Sequence, residues 1–187
     1  MNDPGTPKET IWPEEIMWQG RFVVAKKRGR WEYVSRARNI RAAVILAVDD
    51  GHVLLVEQFR VPLGRTCIEL PAGLIGDDAD DLGAVEGEAA EIAGGRELEE
   101  ETGYRAARID NMGEFFSSPG MVTESFTLLR ASGLEKVSEG GGLPGEDITV
   151  HRVPLDGLEA FLAERRAQGD AIDVRLLLLL GPSILSS

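Results

Sequence analysis

The sequence predicts a mixed domain, α+β or a layered α/β/α arrangement, on three observations. Short runs rich in valine, isoleucine and aromatic residues are bounded by glycine, proline or aspartate. A few longer segments carry helical spacing. The two kinds of segment mix without regular alternation, and no internal repeat is visible. In chain order, residues 21–25 and 31–35 are valine- and aromatic-rich and flank 26–30, which contains Gly29, so they read as a β-hairpin. Strands follow at 42–48 and 52–59, joined by an Asp50-Gly51 turn, and a third apolar stretch at 67–70 ends at Pro71. Residues 76–87 read as a loop of acids and glycines. Helical character runs from 84 to 103, interrupted or starting late because Gly94-Gly95 suits a helix interior poorly, with Gly103 as its C-cap. Strands are expected at 125–131 and 148–153, separated by 138–145 with its Gly140-Gly141-Gly142 run. Two helices close the chain, an amphipathic one at 155–168 (Leu158, Phe161 and Leu162 on one side) and an apolar one at 174–180.

Composition narrows the function. The 187 residues carry a net charge of −12, and the window 77–101 alone holds eleven acids against one base, Arg96. A general nucleic-acid binder needs a broad positive field, so that class is excluded. A hydrophobic content of 43% can fill a core, which argues against an acidic disordered chain. One cysteine, Cys67, rules out an internal disulfide framework and, with Ile68 and Leu70 beside it, reads as a buried strand position rather than a nucleophile. The first ten residues lack a basic-then-apolar leader pattern, and the longest apolar run, 176–180, is far short of the ~20 residues of a membrane span. A cytoplasmic protein with no membrane partner is expected. His52 and His151 lack partners at metal or triad spacing, and Ser117-Ser118 has no nucleophile-elbow pattern.

The charge concentrates on Arg96-Glu97-Leu98-Glu99-Glu100-Glu101-Thr102-Gly103-Tyr104. Spacings of three and four place Glu97, Glu100 and Glu101 on nearly one helix face. Like charges so placed cost a few tenths of a kcal/mol per pair unless a cation offsets them, and hard oxygen donors select Mg²⁺, Mn²⁺ or Ca²⁺ over Zn²⁺. An arbitrary Glu-rich helix is best read as a solvated face; the residues around this one argue otherwise. Glu88 precedes Arg96 with seven residues between, and Glu69-Leu70-Pro71-Ala72-Gly73 stands upstream. Together these resemble the signature of the Nudix hydrolases, Gly-x5-Glu-x7-Arg-Glu-U-x-Glu-Glu-x-Gly-U, with U bulky and aliphatic. Glu88 through Gly103 fits at every defined position, and Tyr104 fills the last one imperfectly. The departure is that fourteen residues, not five, separate Gly73 from Glu88, which reads as a nine-residue insertion hosted by 77–86.

The similarity extends to Val56-Glu57-Gln58-Phe59-Arg60, to Ser118-Pro119-Gly120 with Glu124, to Gly145-Glu146-Asp147-Ile148 and to Val153-Pro154-Leu155, covering roughly residues 20–181. These features resemble the ADP-ribose pyrophosphatase branch, for which a proline about fifteen residues past the signature, here Pro119, is a marker. The resemblance implies a Nudix-type α/β/α sandwich with a mixed sheet at 41–187, preceded by an N-terminal antiparallel β element at 1–40 that serves dimerisation and base binding. It implies Mg²⁺, or Mn²⁺, on Glu97, Glu100, Glu101 and the carbonyl of Ala72, with Gly73, Glu88, Arg96 and Gly103 as structural members. Arg96 would hold Glu88 or a neighbouring glutamate, and Glu88 is either structural or a water-mediated ligand. Three glutamates are candidates for the base: Glu146, Glu139 and Glu124. Relatives of the branch can carry the catalytic glutamate two positions before Glu146, where this chain has Pro144.

The implied reaction is hydrolysis of ADP-ribose to AMP and ribose 5-phosphate by a homodimer. Trp31 and Phe22, on the basic N-terminal hairpin, are the candidates to sandwich the adenine. Arg60 is a candidate for phosphate, with an ion pair as the alternative; Trp12 and Trp18 read as packing residues. The rival readings are another nucleoside diphosphate sugar or an oxidised nucleoside triphosphate as substrate, a non-catalytic ADP-ribose sensor, and an acidic Ca²⁺-binding protein. The sensor is disfavoured because all three helix glutamates stand. The Ca²⁺ protein is disfavoured because no Asp-x-Asp-x-Asp-Gly loop occurs.

Overall fold

A computed structural model describes residues 12–37, 41–75 and 89–186, with side chains through residue 181. The chain forms two compact units, Met1–Ile40 with Phe116–Ser125, and Arg41–Phe115 with Phe126–Ser187. Glu88 and the 77–86 insertion lie outside the described residues.

The first unit is a three-stranded antiparallel sheet in the order β1-β2-β3: β1 (Glu14–Gln19), β2 (Val23–Arg28) and β3 (Trp31–Arg36). The expected five-residue hairpin loop is only Gly29-Arg30, with Gly29 at φ 58°, and Arg28 pairs directly with Trp31. Of the polar residues 26–28, Lys26 and Arg28 are paired with a carboxylate on β1. Glu14 accepts from Tyr33 (2.6 Å) and Arg28 (2.8 Å) and lies 2.9 Å from Lys26. These donors, the Tyr33 hydroxyl first, pull the Glu14 carboxyl down to about 2. β1 itself was not expected. All six of its residues are exposed, so the ladder to β2 and this ion cluster hold it rather than burial. Residues 121–123 lie along β3: the Val34 amide donates to Met121 O (2.9 Å) and Thr123 N donates back to Val34 O (3.0 Å).

The second unit is built on an eight-stranded mixed sheet. Its strands are β4 (Arg41–Asp49), β5 (His52–Arg60), β6 (Arg65–Glu69), β7 (Ala72–Ile75), β8 (Tyr104–Phe116), β9 (Ser125–Lys136), β10 (Thr149–Pro154) and β11 (Ala171–Ile172). The main path is β11-β6-β5-β4-β9-β8, with β10 on β5 and β7 on β4. β4 runs parallel to β9 and antiparallel to β5 and β7. Asp50 and Gly51 turn the β4–β5 hairpin at positive φ, as an Asp-Gly pair at a two-residue loop does.

Alternation along β4 makes the layers. Ala43, Ile45 and Ala47 face α1 (Ala90–Thr102) and its Ala90, Ala93 and Leu98; Val44, with Ala42, Leu46 and Val48, faces Leu158 and Leu162 of α2 (Leu158–Ala167) and Leu180 of α3 (Leu177–Ser186). A strand apolar on both faces is covered on both sides, which gives the α/β/α sandwich. α1 is not interrupted at Gly94-Gly95. A Cβ on Gly94 would overlap Leu129 Cδ1 of β9, so glycine here allows close helix-to-sheet approach, and its helix-propensity cost of about 1 kcal/mol is accepted for that contact. Among the described residues no helix is long and apolar enough to cross a membrane.

Candidate active site

α1 ends at Gly103, whose φ of 76° matches its expected role as C-cap and whose amide donates to Glu99 O (2.9 Å). Leu98 is wholly buried, and its orientation sends Glu97 and Glu101, four residues apart, toward the β7 end of the sheet. The Ala72 amide donates to Glu101 Oε2 (3.0 Å), tying β7 to the last turn of the helix. Gly73 lies under Glu97: any Cβ there would overlap the Glu97 carboxyl group. This explains physically why the pattern has a glycine at 73. Arg96 Nη1 stands 3.1 Å from Glu97 and 3.3 Å from Glu100, so Arg96 braces neighbouring glutamates of its own helix.

The loop after β9 completes the site. The amides of Gly141 and Gly142 donate to the carbonyls of Glu101 (2.8 Å) and Glu100 (3.0 Å), so the glycine run caps the helix end that carries the carboxylates. A side chain at Gly140 would run into the Thr102 and Gly103 backbone. Thus anchored, the loop brings Glu146 close enough for its charge to raise both Glu97 and Glu101. Burial is the larger cause: it pushes Glu97 up to about 7 despite Arg96, and Glu101 up to about 8 despite the Ala72 amide.

Glu97, Glu101 and Glu146 therefore form a group of acids short of positive charge. Among the described residues no three carboxylate, imidazole or thiol side chains already converge on one point, and Arg96 takes up part of the charge of Glu97 and Glu100. The donor chemistry nevertheless fits a hard divalent cation: Glu101 is buried, Glu97 largely so, and with the nearby Glu146 they repel one another.

The other candidates fall differently. Glu139 pairs with Lys136 (3.0 Å) and its side chain is 94% exposed, facing solvent away from the carboxylate group. Glu124 belongs to the first unit, where it accepts from Arg36 (2.6 Å). Arg60 forms the ion pair: it binds buried Glu69 through two hydrogen bonds (2.6 and 3.0 Å), which Arg175 joins at 3.1 Å while also holding Asp173 (2.7 Å). Glu69 has no role in the sequence pattern beyond the resemblance; a glutamate closing a buried strand is the signal that marks it. Cys67 is buried and its thiol is pushed up to about 12, mainly by burial, which agrees with the strand reading. His151 does have a partner, Glu57 (2.7 Å), which also binds Arg165 (2.6 Å).

In the first unit, Trp31 and Pro119 line one cavity of about 350 Å³, together with Trp12, Glu14, Arg28 and Tyr33. Trp12, expected to be a packing residue, is thus a wall of that cavity. Phe22 is not. It lies beyond the Val23–Arg36 pair, its carbonyl accepting from Ala37 (2.9 Å), whereas Trp31 pairs with Arg28 at the far end of the hairpin. Five residues of strand separate those pairs, roughly 17 Å at ~3.3 Å per residue. Within one chain the two rings cannot sandwich a base, which corrects that expectation.

Oxygen donors from one helix turn and an acid from a facing loop, set in a layered domain, are groups that a cation-assisted hydrolysis could use. Comparison makes the class specific: residues 37–172 match the NUDIX domain model, and the chain belongs to the Nudix family. It is 37% identical over 131 residues to the ADP-ribose pyrophosphatase of Bacillus subtilis, covering 69% of this chain and 65% of that protein. It is 35% identical to an uncharacterised Nudix hydrolase of Schizosaccharomyces pombe, covering 87% of this chain and 80% of that one. The chain thus spans a little under two thirds of the Bacillus relative's length. A crystal structure of an ADP compounds hydrolase superposes with a TM-score of 0.68 at 20% identity, covering 93% and 92% of the two chains, and shares the fold.

Proposed function

We propose that this protein hydrolyses the pyrophosphate bond of ADP-ribose, releasing AMP and ribose 5-phosphate, in a Mg²⁺-dependent reaction. The observation that carries the reading is the set of buried acids, Glu97 and Glu101, with Glu146 facing them from a loop capped onto the same helix turn. Glu97, Glu100, Glu101 and the carbonyl of Ala72 are the groups that would hold the cation, with Mn²⁺ as an alternative to Mg²⁺. When bound, such a cation neutralises phosphate charge and lowers the pKa of water. The chain's own contributions are separate. Arg96 keeps Glu97 and Glu100 on one face, the Ala72 amide orients Glu101, and Glu146 accepts a proton from the attacking water. The Lys136 pair disfavours Glu139 as that base, whereas the charge of Glu146 is felt at both Glu97 and Glu101. Similarity to the Bacillus pyrophosphatase supports the choice of substrate.

Trp31 with Pro119 supplies the base-stacking wall. If Phe22 stacks on the same base, it does so from a second copy, in keeping with a homodimer joined through the N-terminal element of residues 1–40. A cytoplasmic setting accords with the single buried thiol. The test is a panel of nucleoside diphosphate sugars and nucleoside triphosphates with Mg²⁺, with products resolved by chromatography. AMP from ADP-ribose at the highest kcat/KM is expected; efficient cleavage of another panel member with ADP-ribose inert would overturn the substrate assignment.

A further inference from the structure

We infer that Gln58 is a positioning residue for the proton-accepting carboxylate: its side-chain amide fixes the backbone of Glu146 where the β5–β10 ladder has run out. This rests on the reading of Glu146 as the base. The β10 pairing with β5 begins at Thr149–Glu57, so the next residue of β5, Gln58, has no β10 partner. At that point the chain turns out of the ladder, with Asp147 at a φ of 50°, a conformation in which a non-glycine residue needs support from its surroundings. Gln58 supplies it: Nε2 donates to Glu146 O at 3.0 Å. The Glu146 amide donates to Leu143 O (3.0 Å), and the Leu143 amide donates back to Glu146 Oε2 (2.7 Å), so the carboxylate is held by its own loop. Gly142 makes that closure possible, since a Cβ there would meet the Glu146 carboxylate.

Two of the loop's anchors bear on Glu146. One is the capping of Glu100 and Glu101 by Gly142 and Gly141; the other is Gln58, reaching from the sheet. The first sets the loop against the helix. The second sets where along β5 the Glu146 carboxylate sits. Misplacement of a reacting group by about 1 Å can cost on the order of 100-fold in rate.

The experiment is a double-mutant cycle with Gln58→Met, which keeps length and loses the donor, and Glu146→Gln, on the full chain. Removing a general base costs about 10²–10⁴-fold, and Gln58→Met is expected to lower kcat about tenfold with KM within about twofold. In the Glu146→Gln background the same change is expected to have almost no effect, because Gln58 acts only through Glu146. An equal loss in both backgrounds, or no loss in the first, overturns the proposal. Full activity of Glu146→Gln removes the base reading and the proposal with it. A second measurement does not depend on turnover: hydrogen exchange of the Leu143 amide is expected to speed up about tenfold in Gln58→Met while α1 keeps its protection. Unchanged exchange at Leu143 overturns the positioning role even if no substrate is ever found.

Discussion

Removing divalent cations is expected to make stability fall as pH rises through neutrality, the reverse of what most acidic proteins show. Glu97 and Glu101 sit at about 7 and about 8 in the fold against an ordinary 4.5. A carboxyl whose pKa is raised by folding contributes its full stability below the unfolded value and loses it as pH climbs through the folded one. At 1.36 kcal/mol per unit, the two shifts correspond singly to about 3 and about 5 kcal/mol. The pair shares its mutual repulsion, so about 4 kcal/mol is expected to be lost between about pH 5.5 and 8.5. The other displaced groups act outside that window: the lowered carboxylates, Glu14 at about 2 among them, below it, and Cys67, at about 12, with Tyr33 above it. At ~2–4 °C per kcal/mol for a chain of this size, Tm in chelator should drop by about 10 °C across the range. Calorimetry or circular dichroism melts at half-unit pH steps would follow it. Glu101→Gln should roughly halve the slope, and Mg²⁺ at about 100 Kd should return about 2.7 kcal/mol at the alkaline end. A flat or rising Tm in chelator, or an undiminished fall in the Glu97→Gln/Glu101→Gln double variant, would refute the reasoning.

Three further outcomes follow from the same contacts. Gly73→Ala should displace the Glu97 carboxylate, lowering kcat about 100-fold and raising the Mg²⁺ concentration for half activity while Tm shifts little; titration of Mg²⁺ in the assay checks it. Trp31→Ala should raise KM for the nucleotide with kcat nearly unchanged, a loss of about 1–3 kcal/mol of stacking, measured by steady-state kinetics and by tryptophan quenching on binding. Glu69→Gln should destabilise the fold by about 3–5 kcal/mol, because Arg60 and Arg175 lose their shared buried carboxylate; urea denaturation reads it directly.

Features that depend on local spacing are legible in the amino-acid order alone. Three glutamates at intervals of three and four must share a helix face, Gly103 must end that helix, and the Asp50-Gly51 turn must join two strands, because these follow from helical and turn geometry alone. The apolar run at 42–48 likewise marked a strand, while its cover on both faces came from α1 on one side and α2 and α3 on the other. The tertiary structure decided what depends on distant residues. β1 and β8 carry little apolar periodicity and are strands because neighbours pair with them. Gly94-Gly95 looked like a helix breaker until Leu129 was seen to occupy the space a Cβ would need. Glu139 and Glu146 share one glycine-rich loop, and both stood as candidates for the base, Glu146 on the resemblance and Glu139 behind it. The bonds from Gly141, Gly142 and Gln58, with those inside the loop, hold Glu146 near Glu97 and Glu101, whereas Glu139 pairs with Lys136. Charge can be counted along a chain. Whether a carboxylate is solvated or buried against another is set by residues that pack on it from elsewhere, and here that difference separates a surface charge from a candidate cation site.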